Sequence, residues 1–176
     1  DIRQLIEHSK QHVAREYNTT QVLLCWLIGT RIDEEVLKFQ RAEYGERIVE
    51  AIAIELSAHY GRGFGKINLF RMLRFSRTFP NKEIVSTLSK QLSWSHFILI
   101  CVIEDPLKRD FYSEMCRIQS WSVRGLKKQI DSQLFERTAI SKREETVIAQ
   151  QINDLKLHDK MTADLVFKDP YFINFI

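Results

Sequence analysis

Only six glycines and three prolines interrupt 176 residues, and this scarcity of chain breakers constrains the fold more than any other feature. A sheet protein of this length needs a turn about every ten residues, and turns draw heavily on glycine and proline. The chain instead supports long helical runs, so the expected class is all-α, a multi-helix bundle containing a helix-turn-helix. Ile2, Leu5, Ile6 and Val13 share one face of a first helix over 2–16, and Asn18-Thr19-Thr20 reads as the start signal of a second over 21–39. The apolar first half of that second helix belongs in a core and its charged second half at solvent. A third helix over 46–60 carries Ile48, Val49, Ile52, Ile54 and Leu56 and closes at Gly61.

The segment Gly61-Arg62-Gly63-Phe64-Gly65 packs three glycines into five residues and is a turn. Helical periodicity resumes at Lys66 and runs to Phe79, where Pro80 stops it. Beyond lie a short helix near 83–88 and another over 93–103. Asp105-Pro106 opens the next, because proline at the first helical position gives up an amide that has no partner anyway. A helix over 122–136 follows. Ser141, with Glu144 in the capping-box position, starts a last one reaching about Leu157. These elements place a helical module over 1–160, with a helix-turn-helix about 46–79, and a linker over 161–176.

Charge singles out one of these helices. The net charge of +3 is too small to identify a polyanion partner, but from Gly61 to Lys82 there are six cations and no acid. Advancing about 100° per residue from Lys66 gathers Lys66, Ile67, Phe70, Arg71, Arg74 and Arg77 on one arc. Leu69, Met72, Leu73, Phe75, Ser76 and Phe79, with Asn68, fall on the other. One face can therefore enter a core while the other presents cations with Ile67 and Phe70 exposed between them. A DNA major groove accepts such a face: arginine and lysine reach phosphates and guanine edges, and apolar side chains meet thymine methyls. The helix also opens directly after the glycine turn, with its positive dipole end available to a phosphate. Helix, turn and basic helix in this order form a helix-turn-helix, although five turn residues exceed the usual three or four. The competing reading is a solvated cationic surface. A second basic helix start, with Arg124, Lys127 and Lys128, is either a further backbone contact or plain surface.

Catalytic and metal chemistry are not expected of this chain. Cys25, Cys101 and Cys116 lie far apart among apolar neighbours and read as buried reduced thiols rather than zinc ligands. His8 and His12 are one helical turn apart but lack an accompanying HExxH carboxylate, and His59, just before the glycine turn, either donates to a phosphate or caps the end of its helix. Asp154-Leu155-Lys156 matches the acid-x-Lys element of a metal-dependent nuclease, yet its neighbours Val147, Ile148 and Ile152 are spaced for a helix. Trp26, Trp94 and Trp121 read as core residues. No cofactor is expected. No apolar run is long enough to cross a bilayer and no signal peptide is evident, so the expected location is the cytoplasm, away from membranes.

Several long motifs, in order, carry a family resemblance: RAEYGERIV, LSAHYGRGFGKINLFRMLRFSRTFP, QLSWSHF, EDPLKRDFY, WSVRGLKKQIDSQLFERT and DLVFKDPY. Together they resemble the N-terminal domain of the YhcG family over nearly the whole chain. The resemblance implies a PD-(D/E)xK nuclease domain following near Asp169-Pro170-Tyr171, with this chain as the targeting part of a DNA-cleaving protein. Residues 56–128 are also similar, more weakly, to the helix-turn-helix region of ParB-type partition proteins. There Leu69 and Met72 match inward positions of the recognition helix, and Ser93 and His96 match an L-S-x-x-H element. The longer turn departs from that pattern, as does Gly65, which stands where a serine cap is common.

The expected function is therefore a non-catalytic DNA-binding module. It engages duplex DNA through Arg62, Lys66, Ile67, Phe70, Arg71, Arg74 and Arg77, with the C-terminal nuclease domain of the same protein as a partner. The alternative is a protein-interaction or dimerisation domain that positions the nuclease, a homodimer included, for which the apolar tail over 165–176 is the sequence support. The charge pattern does not separate DNA from RNA.

Overall fold

The computed structural model describes residues 1–37, 42–138 and 144–158. Among them every regular element is helical: α1 (Ile2–Arg31), α2 (Ala42–Tyr60), α3 (Lys66–Thr78), α4 (Lys82–Ser89), α5 (Trp94–Ile100), α6 (Pro106–Gln119), α7 (Val123–Asp131), α8 (Leu134–Arg137) and α9 (Glu145–His158). The all-α reading holds. The chain divides into two compact units, Asp1–Cys101 and Val102–Ile176. The linker expected over 161–176, the apolar tail and the Ser141 cap lie outside the described residues.

In the first unit one expectation fails. The Asn18-Thr19-Thr20 start signal does not break the chain, and α1 runs unbroken for 30 residues. The side chains that would have capped a new helix are used elsewhere. Asn18 Nδ2 donates to the carbonyls of Ser89 (2.8 Å) and Leu92 (3.1 Å), and Thr19 Oγ1 donates to Ser89 (3.2 Å). These carbonyls sit at and just beyond the end of α4, where helical acceptors lose their partners, so tertiary bonds worth ~1 kcal/mol each override the local capping preference. A π-helical turn, Ile32–Leu37, continues directly from α1.

Val22, Cys25, Trp26 and Gly29 form the buried stripe of α1, and Ile32 continues it into the π-helical turn, at the spacing of a core-facing helix. Gly29 marks its closest approach to α3: a Cβ there would lie 2.0 Å from the Met72 carbonyl oxygen and 2.9 Å from Ser76 Oγ. The α3 side of the core is Leu69, Met72, Leu73, Phe75 and Ser76. Phe75 packs on Phe97 of α5 at 4.6 Å between ring centroids and on Trp94 at 5.5 Å. Trp26 Nε1 donates to the Phe79 carbonyl (2.7 Å) at the end of α3, locking that end before Pro80. Asn81 then caps α4 by accepting from the amides of Glu83 and Ile84.

The second unit is built on α6, opened by Asp105 and Pro106 as expected. Phe111, Tyr112, Met115 and Cys116 are buried in it, and Ile148, Ile152 and Leu155 of α9 are the buried positions of the last helix. The continuous helix expected over 122–136 is instead two. Gln133 takes a left-handed conformation (φ 53°), which ends α7 and turns the chain so that Leu134 and Phe135 enter the core. The Phe135 amide donates to Tyr112 Oη (3.2 Å), and Tyr112 Oη donates to the Gln129 carbonyl (3.2 Å). One buried hydroxyl thus satisfies the break.

Candidate nucleic-acid interface

The segment between α2 and α3 is a single 3-10 turn, Arg62–Phe64. Gly61 enters it at φ 90°, a conformation open to glycine without strain. Asn68 Nδ2 reaches back to the Gly63 carbonyl (3.0 Å), tying the turn to the first coil of α3. Gly65 occupies the cap position and offers the α3 amides no side-chain acceptor.

The expected division of α3 into two faces is close to what the chain adopts. Leu69, Met72, Leu73, Phe75, Ser76 and Phe79 are buried, the first two being the inward positions of the ParB-type likeness. Arg71, Arg74 and Arg77 are exposed, and Ile67 is 69% exposed. Phe70 and Asn68 are half-buried, so Ile67 is the fully presented apolar side chain of the outer face. Ile67, Arg71 and Arg74 follow at i, i+4 and i+7, one ridge about 10 Å long.

The cations of this face are not equivalent. Lys66 Nζ lies 3.2 Å from Glu46 and 3.5 Å from Glu50, both on α2, and the hydrogen bond it donates to Glu46 raises the ammonium pKa above its ordinary value. Arg77 donates through Nε (3.0 Å) and Nη2 (2.6 Å) to Asp33 Oδ1, just after α1. These pairs brace the two ends of α3 against neighbouring elements. Arg71 donates through Nη1 to the neutral Asn68 Oδ1 (3.2 Å). Arg62 and Arg74, both exposed, have no acidic partner among the described residues. The unneutralised charge of this face is therefore Arg62 in the turn before α3 and Arg71 and Arg74 along it, the last two on one ridge with Ile67. Sequence reasoning missed the pairing because Asp33 and Glu46 lie outside the acid-free segment and only folding brings them alongside it.

Arg124, Lys127 and Lys128 are exposed on α7 in the second unit; Lys127 is paired with Asp131 (3.0 Å), an ordinary surface bridge of little energetic weight. Ser122 caps that helix through the Gly125 amide. Lys156 of the acid-x-Lys element pairs with Asp110 (2.6 Å) while Leu155 is buried, which makes it a structural bridge between α9 and α6. His8, His12 and His59 are exposed, and among the described residues there is no cluster of potential metal ligands. Ser93 and His96 form a reciprocal cap of α5, with the ring Nδ1 2.8 Å from Ser93 Oγ. Cys25 and Cys116 are buried, and burial pushes their thiols up to about 11 and about 12 respectively; Cys101 is half-buried. Among the described residues no helix is long and apolar enough to cross a membrane.

Comparison with known proteins places these features in a family. The chain is 25% identical to the Escherichia coli (strain K12) protein named "Putative nuclease YhcG", over 98% of this chain and 53% of that protein. It thus spans about half the length of the curated relative it matches. No solved structure matches it. A family model described as the DUF1016 N-terminal domain matches residues 1–137, a span that takes in the whole first unit, with α3 and its turn, and α6 to α8 of the second. The chain belongs to that family, the N-terminal domain of the YhcG family that its motifs resemble.

Proposed function

We propose that this chain is a DNA-binding module that brings a nuclease domain, carried in the other part of the full-length protein, to its substrate. The observation that carries the reading is the outer face of α3: Arg71 and Arg74 on one ridge with exposed Ile67, Arg62 beside an uncapped helix start, and no acid from Gly61 to Lys82. Such a face suits a major groove. Arg62, Arg71 and Arg74 engage phosphates or guanine edges, Ile67 meets a thymine methyl, and the first amides of α3 donate to a phosphate oxygen. Lys66 and Arg77 hold the helix in place through Glu46, Glu50 and Asp33, and contribute charge when a phosphate competes for them. Arg124, Lys127 and Lys128 are assigned a secondary backbone contact. In this reading the chain itself performs no cleavage, and a relative whose name says nuclease supports a nucleic acid as the ligand.

The test is fluorescence anisotropy with a labelled duplex across a salt series. Binding weakens with salt, because phosphate contacts release counterions. Converting both Arg71 and Arg74 to Glu reduces the salt slope by about two and abolishes binding at moderate salt. Undiminished affinity in that variant, or no binding of the wild-type chain at low salt, overturns the reading. Structured RNA binding in preference to the duplex would replace DNA as the ligand.

A further inference from the structure

The first half of α1 is the largest feature that the DNA-binding face leaves unused. Every residue from Asp1 to Tyr17 is exposed, yet the segment is not polar throughout. Ile2, Ile6, Val13, Tyr17 and Leu24 are 47% to 73% exposed, with Ile28 half-buried behind them. Scattered apolar side chains on a surface need no explanation, but these share one face of a single helix, with Ser9, Lys10, Thr20 and Gln21 between them.

The spacing of these six residues alternates four and seven, an eleven-residue repeat. At about 100° per residue such a repeat drifts by only about 20° each period, so the stripe runs almost straight up the helix. An eleven-residue repeat favours nearly straight pairing with a slight right-handed coil. The set is also symmetric about position 15: reversing the direction exchanges Ile2 with Ile28, Ile6 with Leu24, and Val13 with Tyr17. A stripe that maps onto itself on reversal is self-complementary under a two-fold axis, where residue i meets j and j meets i.

Two further observations favour a second copy as the occupant. The half-helix carries three acids (Asp1, Glu7, Glu16) and three bases (Arg3, Lys10, Arg15), so like charge does not oppose self-association. Covering the stripe together with flanking Leu5 and Leu27 removes on the order of 800 Å² of each chain from water, about what each partner contributes to an interface of standard size.

We propose that two copies of this chain pair through α1, antiparallel, along the stripe from Ile2 to Ile28. The proposal does not depend on DNA binding, since it involves neither α3 nor its arginines. Sedimentation equilibrium of the 176-residue chain, free of DNA and over roughly 1 to 100 µM, tests it. A dimer is expected. Val13→Glu with Tyr17→Glu removes it while circular dichroism keeps its helical signal, because neither side chain enters the core. A monomer throughout the range, or a dimer indifferent to this double substitution, overturns the proposal. Orientation is read by disulfide capture against the wild-type chain as control. Ile6→Cys with Leu24→Cys cross-links between copies on mild oxidation and Ile6→Cys alone does not; cross-linking by the single variant overturns the antiparallel register.

Discussion

Replacing Gly29 by alanine adds one methyl group at the tightest point of the first unit. The new Cβ would stand 2.0 Å from the Met72 carbonyl oxygen and 2.5 Å from its carbon, both backbone atoms inside α3 that no rotamer change can move. Relief requires separating α1 and α3 by more than an ångström, which opens the contacts of Leu69, Met72 and Phe75 together. Overpacking costs about 1–3 kcal/mol, and more where the obstacle is backbone; helix propensity returns up to about 1 kcal/mol for Gly→Ala. The net expectation is a loss of about 2 kcal/mol or more, a fall of roughly 10 °C in the melting temperature of a unit of about 100 residues. Urea unfolding followed by circular dichroism reads it, with Gly63→Ala as control because nothing lies within 4 Å of that position. If Gly29→Ala proves neutral or stabilising while the control behaves as expected, α1 and α3 do not meet at this point and the packing described for the first unit is wrong.

Removing the Tyr112 hydroxyl with Tyr112→Phe strands the Phe135 amide at the α7–α8 break and destabilises the second unit by about 1–3 kcal/mol, seen as a lowered urea midpoint. Alkali acts on Cys25 and Cys116. Their thiols ionise near 9.0 when unfolded and at about 11 and about 12 when folded, so from about pH 9 upward the unfolded state sheds protons that the folded state keeps, and stability falls until the folded thiols ionise. Denaturation midpoints measured from pH 8 to 11, with Cys116→Ala as comparison, show a decline that shrinks in the variant. Arg77→Ala loses an exposed bridge to Asp33 worth at most about 1 kcal/mol and weakens duplex binding less than Arg74→Ala does. The reverse order in the anisotropy assay contradicts the assignment of free and braced cations on α3.

Helices that rest on local signals were legible in advance. Asp105-Pro106 opens α6, and the glycine cluster separates α2 from α3, because both depend on backbone chemistry within a few residues. The alternation of buried and exposed positions along α3 was legible for the same reason. What could not be read were distant arrangements. Asn18 and Thr19 resemble a helix start until the carbonyls of Ser89 and Leu92 become their acceptors. Gln133 has no residue-type signature of a left-handed turn, and only the demand to bury Leu134 and Phe135 explains it. At the α3 face the cations were identifiable, but which of them keep free charge depends on Asp33, Glu46 and Glu50, whose approach is a property of the folded chain. Gly29, inside an otherwise strong helical run, was the one available hint of a close backbone contact.

From Ile2 to Ile28, α1 contains neither glycine nor proline and has no hinge. It therefore behaves as a ruler. Two copies joined along it about position 15 would hold their Gly29 contacts, and with them their α3 helices, on the order of 40 Å apart along the shared axis. That separation is set by residue count alone. Inserting one further eleven-residue repeat ahead of Asn18 would lengthen it by about 16 Å with the stripe still in register and no core residue touched, and the preferred distance between two DNA half-sites would change in step.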